Sequence, residues 1–337
     1  MNISVLGIDL AKNTFQLHGI DAQGKVVLRK SLSRGKLAEF IATLPACLIG
    51  LEACASSHYW ARKFKSYGHE VKLISPQFVK PYVKSNKNDA NDAEAICEAV
   101  SRPHMRFVPS KSVEQQDVQA LHRIRSGLIQ RRTALVNQIR GLLGEYGIVI
   151  VQGITHIRKQ LPLILEDAQN ELSDLARELF ADLYQQLMEL DKQISFYNKK
   201  IEQLCAKSEI CQRIKAIPGI GPIAATALVA AIGDAKEFKN GRQMAAWLGL
   251  VPRQCSTGGR QVLLGISKRG DRYLRCLLIH GARAVITCAK NRDNTLHKWL
   301  AKLIEKKGIN KASVALANKN ARIVWVLLGF CQNSLPL

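Results

Sequence analysis

Apolar residues at Leu172, Leu175, Leu179, Leu183, Leu187, Leu190, Ile194, Tyr197, Ile201 and Leu204 step by three or four throughout. A seam of that period and length asks for one long helix laid along another. Leu121, Leu128, Leu135 and Leu142 recur every seventh position in an earlier stretch, which has arginines but no acid from Val118 to Gly144. Residues 111–210 therefore read as a helical coiled-coil connector, either an intramolecular hairpin or an oligomerisation arm. That divides the chain into three: residues 1–110, the connector, and residues 211–337.

The first segment has a different periodicity. Val5 to Asp9 is an apolar run ending in an acid, Thr14 to Ile20 follows a short turn, and Val26 to Leu28 follows the turn Asp21-Ala22-Gln23-Gly24. Strands this closely spaced form an antiparallel meander. Helical pattern around Leu37 to Leu44, a buried strand at Leu48 to Glu52, a helix from Ser57 to Tyr67 ending at Gly68, and a strand at Val71 to Ile74 come next. Three antiparallel strands followed by strand–helix–strand crossovers is the order of the ribonuclease-H-like fold. The fold class is thus α/β plus α, with a mostly helical last segment.

That last segment opens on Ile217-Pro218-Gly219-Ile220-Gly221-Pro222 before a small-residue helix from Ile223 to Ile232. A Pro-Gly-x-Gly turn opening a helix is the turn of helix-hairpin-helix modules. Gly219 and Gly221 would let backbone approach a phosphate at the helix start. An apolar helical hairpin in a core is the plainer alternative. Beyond Trp247-Leu248-Gly249-Leu250-Val251-Pro252 the chain reads as a polar, Gly-containing loop through Gly270, then as a helix from Tyr273 to Ala284.

Charge gives the partner. The chain carries a formal +22, and residues 211–337 hold 21 Lys/Arg against 5 Asp/Glu, whereas residues 111–210 hold 13 of each. Such an excess faces something anionic, for which nucleic acid is the usual candidate in a soluble chain and a membrane surface the competitor. No uninterrupted apolar run reaches the roughly 20 residues of a membrane span, so no membrane partner is expected. The first residues, Met1-Asn2-Ile3-Ser4, place no basic region before an apolar core. The nine cysteines include no Cys-x-x-Cys pair, as in a reduced, cytoplasmic protein without structural zinc.

The first segment also contains carboxylates that a polyanion would repel. Asp9 and Glu52 end strands that are neighbours in a ribonuclease-H-like sheet. Asp89 and Asp92 share one helix face with Ile96 and Val100, so they point toward that sheet, while Glu94 and Glu98 read as solvated. Inward acids are costly unless a cation offsets them, and oxygen-only ligands suit magnesium or manganese. Each acid has a plainer role open to it. Asp89 could cap or favour a helix start, Asp92 could pair with a lysine, and Asp9 could sit in a turn. Gly7-Ile8-Asp9-Leu10 also resembles the first strand of actin-like ATPases, but their later glycine loops are not evident.

Gly7-Ile8-Asp9-Leu10-Ala11-Lys12, Leu51-Glu52-Ala53-Cys54 and Lys87-Asn88-Asp89-Ala90-Asn91-Asp92-Ala93 are together similar to the Asp-Glu-Asp-Asp insertion-sequence transposases. These are relatives of the pilin-gene-inverting recombinases. Pro218 to Pro222, Ala246 to Pro252 and Ile266-Ser267-Lys268-Arg269-Gly270 resemble the same family's second domain. The resemblance implies a RuvC-like first domain with Asp9, Glu52, Asp89 and Asp92 on Mg2+ or Mn2+, and a nucleophilic serine in the last. It implies donor and target DNA as substrates and a structured non-coding guide RNA as partner. A homodimer or homotetramer sharing its active site between protomers would follow from acids and serine on domains joined by long helices. Ser256 falls at the family's serine, with Thr257 and Ser267 as competitors. Arg253 and Arg260 flank it, and Lys268, Arg269 and Arg272 add to the nucleic-acid grip. A junction nuclease using activated water and a non-catalytic nucleic-acid binder are the remaining readings.

Overall fold

Strand alternation and glycine placement build the first of two compact units, Met1–Val113 and Glu114–Leu337. The computed structural model describes residues 2–84, 88–288 and 294–330, so Lys87 of the motif above lies outside the described residues. β1 (Val5–Leu10), β2 (Thr14–Ile20) and β3 (Val26–Ser33) form an antiparallel meander. Helix α1 (Arg34–Ala42) crosses to β4 (Leu48–Glu52), parallel to β1, and α2 (Ser57–Ser66) crosses to β5 (Glu70–Ile74), parallel to β4. The short α3 (Pro76–Val79) and a 3-10 turn precede α4 (Asp89–Val100), and β6 (Phe107–Val108) pairs antiparallel with β5. The sheet order is β3-β2-β1-β4-β5-β6. β3 runs five residues beyond the expected Leu28, because Leu28 and Leu32 are buried while the residues between them face solvent at the sheet's edge.

Successive side chains of a strand face opposite ways, and the two faces have separate cores. Leu6, Ile8, Ile49, Leu51 and Leu73 pack with Leu37 and Ile41 of α1 and Trp60 and Phe64 of α2. On the other face Ile74 packs with Ala95, Ile96, Ala99 and Val100 of α4, bordered by Val5 and Leu48. Burying Ile96 and Val100 contributes about 1.5–3 kcal/mol each, and that holds α4 on the sheet.

The second unit continues with α5 (Val113–Gly144), α6 (Ile154–Glu166) and α7 (Asp174–Lys207). Arg132 Nη1 donates to Asp191 Oδ1 at 3.0 Å, Arg158 Nε to Asp191 Oδ2 at 2.7 Å and Arg125 Nε to Asn198 Oδ1 at 2.5 Å. The Arg132 and Arg125 bonds run α5 and α7 antiparallel as an intramolecular hairpin, and the Arg158 bond ties α6 to α7. The buried seam of α7 is Phe180, Leu187, Ile194 and Ile201, while Leu175 and Leu179 are exposed. On α5 Leu128 and Leu135 are buried and Leu142 is exposed, with Ile139 and Leu143 taking over the seam. A straight helix drifts about 20° per heptad, which carries the α5 seam from Leu135 to Ile139 and Leu143, whereas the buried positions of α7 keep a seven-residue spacing from Phe180 to Ile201.

Helices α8 (Glu209–Lys215), α9 (Pro222–Ile232), α10 (Gly241–Trp247), α11 (Arg272–Thr287), α12 (Thr295–Lys307) and α13 (Ile309–Phe330) share one further core. The expected loop before α11 is instead a two-stranded ribbon, β7 (Pro252–Thr257) and β8 (Arg260–Ile266). Its two-residue turn, Gly258-Gly259, has φ of +53° and +76°. Positive φ at both central residues suits glycine and matches the strand twist.

Candidate active site

Gly7 and Gly50 set how close α4 comes. A Cβ on Gly7 would stand 2.3 Å from Ala93 O and 2.5 Å from Cys97 N. One on Gly50 would stand 2.9 Å from Val100 Cβ. The bare backbones of β1 and β4 therefore meet α4 directly, through its small residues Ala93 and Cys97. Asn88 caps the helix, its Oδ1 accepting from Ala90 N at 3.0 Å. Asp89 and Asp92 thus occupy the first turn, where the macrodipole favours acids.

Alternation puts Asp9 and Glu52 on the face that α4 covers. Ile8 pairs with Leu51, so Asp9 and Glu52 stand side by side at the ends of adjacent parallel strands. Carboxylate oxygens of Asp9, Asp89 and Asp92 lie within 4.8 Å of one another, and Glu52 stands outside that group. Both strand-end acids reach the half-buried Cys54, whose thiol is pushed up to about 11 by burial first and then by Glu52 and Asp9. Asp9 and Asp92 are half-buried, whereas Asp89 is exposed rather than turned inward, because the first turn of α4 lies at the rim of the sheet. Three gathered carboxylates repel one another, and an all-oxygen donor set of this kind fits a hard divalent cation.

Glu94 and Glu98 are not simply solvated. Glu94 lies 3.5 Å from Arg29, 3.3 Å from Lys84 and 3.9 Å from His18, and Glu98 lies 3.4 Å from Lys84 and 2.5 Å from Arg102. The sequence separation of His18 and Arg29 from α4 hid this clip, which ties the helix to β2 and β3.

The second unit presents the expected serine on β7. Ser256 is exposed, and its Oγ accepts from Gln254 Nε2 at 2.8 Å. Gln261 stands opposite Ser256 and Arg260 opposite Thr257. Alternation therefore puts Arg260 on the face away from Ser256, and Arg253 sits at a shift in register. The Ser267 hydroxyl is enclosed at the root of the ribbon without a hydrogen-bond partner. Lys268, Arg269 and Arg272 are exposed beside that root. At the α8–α9 turn, Gly219 (φ +88°) backs onto α11, where a Cβ would stand 2.7 Å from Gly281 O. Nothing lies within 4 Å of a Cβ placed on Gly221.

Residues 211–298 match the family model described as transposase IS116/IS110/IS902, and residues 6–148 match a second transposase model, of the DEDD type in IS110. A probable family 20 transposase of Pseudomonas aeruginosa is 51% identical over 97% of this chain and 97% of its own length. The transposase of insertion sequence element IS1111A from Coxiella burnetii is 48% identical over 97% of this chain and 90% of its own. The chain belongs to the IS110/IS116/IS902 transposase family. A pilin gene-inverting protein of Moraxella bovis is similar at 23% identity over 94% of this chain and 92% of its own.

In this transposase the acidic cluster falls inside the residues matched by the DEDD-type model, and the β7–β8 ribbon inside those matched by the other. Among the described residues no helix is long and apolar enough to cross a membrane. The ribbon had a sequence signal, Gly258-Gly259 between two extended runs. It was obscured because every residue of β7 is exposed, so no buried alternation marks the strand.

Proposed function

We propose that the first unit is a ribonuclease-H-like, RuvC-like catalytic domain in which Asp9, Glu52, Asp89 and Asp92 hold magnesium or manganese, and that Ser256 attacks the DNA. One observation carries the reading. Asp9 from the sheet and Asp89 and Asp92 from α4 bring their oxygens within 4.8 Å. The meander followed by two parallel crossovers supports the fold. Divalent ions bound there supply Lewis acidity at a phosphate.

The chain's own residues do the rest. Rigid elements hold the acids, so little reorganisation accompanies reaction. The Ser256 oxygen forms a bond to phosphorus, the bond from phosphorus to a sugar oxygen breaks, and the hydroxyl proton passes to solvent while the sugar oxygen gains one. The phosphoserine ester keeps the bond energy, and attack by a new sugar hydroxyl reverses the step and frees the serine. Arg253, Arg260, Lys268, Arg269 and Arg272 offset phosphate charge, and the helix-hairpin-helix turn at Gly219 and Gly221 offers amides to the backbone. Resemblance to the wider family supports a non-coding guide RNA and a dimer or tetramer with shared sites.

Asp9→Asn, Glu52→Gln and Asp92→Asn should each lower magnesium-dependent strand cleavage by at least about 100-fold, the scale of losing one group that stabilises developing charge. Nucleic-acid affinity should stay near wild type. Cleavage near wild type in any variant removes that residue from the site. The alternative, a nuclease using water, predicts cleavage without a covalent protein–DNA product.

A further inference from the structure

The two sequence motifs flanking the ribbon, Trp247 to Gly249 and Lys268 to Gly270, cross each other at backbone contact. Gly249 has φ of +72° and Gly270 of +77°, and Lys268 sits at +54°. A Cβ on Gly249 would stand 2.1 Å from Arg269 O, and one on Gly270 would stand 1.9 Å from Trp247 O. Ser267 N donates to Val251 O at 2.8 Å and Lys268 N to Gly249 O at 3.3 Å. The crossing is the root of the ribbon, since β7 begins at Pro252 and β8 ends at Ile266. All of β7 and all but the last residue of β8 are exposed, so the root sets where the ribbon points.

A buried arginine holds this root. Arg275 of α11 is 8% exposed, and its Nη1 donates to Leu248 O at 3.2 Å and Arg269 O at 3.0 Å, with Asp271 O at 3.5 Å. One oxygen comes from each of the two crossing loops, so a single nitrogen bridges them. Burying a guanidinium is costly unless its hydrogens find acceptors, and two of the three carbonyls that Nη1 meets are those that must stay crossed. Nothing in the cutting and rejoining chemistry above uses this residue. We propose that Arg275 is a positioning residue for transposition, locking the two loops so that the β7–β8 ribbon presents its hydroxyl in one place. The proposal rests on the reading that the ribbon carries the attacking group.

The test compares full-length wild type, Arg275→Met, Arg275→Lys and Ser256→Ala, read by amide hydrogen exchange and by strand transfer at saturating DNA. Arg275→Met should speed exchange of the Ser267 and Lys268 amides roughly tenfold or more while α9 and α13 keep their protection. Its maximal rate should fall on the order of 100-fold, as about 1 Å of misplacement costs, with DNA affinity within about threefold. Arg275→Lys, which keeps a buried cation but not the planar fork, should fall between. Wild-type exchange at the root, or a wild-type rate despite a loosened root, overturns the proposal. If Arg275→Met loses protection throughout the unit, Arg275→Lys decides: a wild-type rate there also overturns it. A dead Ser256→Ala beside a normal Arg275→Met sinks the positioning role alone. An active Ser256→Ala beside a slow, loosened Arg275→Met sinks the serine and leaves Arg275 positioning another group of the ribbon.

Discussion

Gly7 leaves room on β1 for the helix that carries two acids of the cluster. Its missing side chain admits the backbone of α4, and Asp9 stands two residues further on the same face. Gly7→Ala forces the new methyl against Ala93 O and Cys97 N, backbone atoms that can give only if the helix moves. Overpacking of this kind costs about 1–3 kcal/mol. The resulting lift of α4 should weaken manganese binding and slow cleavage on the order of 100-fold. Gly50→Ala should be milder, because its nearest neighbours are the side chains of Val100 and Ile96. Calorimetric titration of the two variants with manganese checks this ordering; a Gly7→Ala protein that binds as tightly as wild type contradicts it. The motif Gly7-Ile8-Asp9 was visible in the sequence as an acid at a strand end. That the glycine seats a helix more than eighty residues away was not, because no local pattern records which element covers a face.

Among elements, α11 gathers what the second unit presents. Gly281 receives the α8–α9 turn, Arg275 receives the root of the ribbon, and Tyr273 reaches the long helix α5. His122 of α5 is 4% exposed, with Nδ1 3.0 Å from Tyr273 Oη and Nε2 3.0 Å from Thr226 Oγ1. Thr226 gives its own hydrogen to Pro222 O at 2.8 Å, so His122 donates from Nε2 and accepts at Nδ1. Burial first, then Arg125, lowers its pKa from 6.5 to about 4. The unfolded chain therefore binds a proton below pH 6.5 that the folded chain refuses. Stability from this group is complete above pH 6.5 and is lost as pH falls toward 4. Between pH 7 and pH 5 the loss is about 2 kcal/mol by linkage. Denaturant unfolding followed at α9 should show that decline in wild type and not in His122→Gln; parallel declines in both would contradict the neutral buried histidine. The elements themselves were legible where burial gave them a period. β1, β2, β4 and α4 stand where alternation and helical spacing put them, and α7 shows its seam. The ribbon, solvent-exposed on both strands, carried no such period.

At the scale of the molecule, the chain divides its chemistry between two units. One gathers carboxylates at the edge of a sheet, and the other exposes a hydroxyl on a ribbon rooted beside Lys268, Arg269 and Arg272. On the proposed reading the acids account for cutting. On that same reading, rejoining draws on a phosphodiester held by the ribbon's hydroxyl, which keeps the bond energy. The accessible hydroxyls of the ribbon are Ser256 and Thr257, since that of Ser267 is enclosed. Arg260 shares its face with Thr257, and the choice of Ser256 follows the family resemblance. The direct measurement is denaturing electrophoresis of the full-length transposase incubated with labelled donor DNA, the non-coding RNA proposed as its guide, and magnesium. Wild type, Thr257→Ala and Ser267→Ala should carry a covalent DNA adduct, and Ser256→Ala and Asp9→Asn should carry none while still binding DNA. An adduct that persists in Ser256→Ala, or wild-type cleavage that leaves no adduct, would contradict the account.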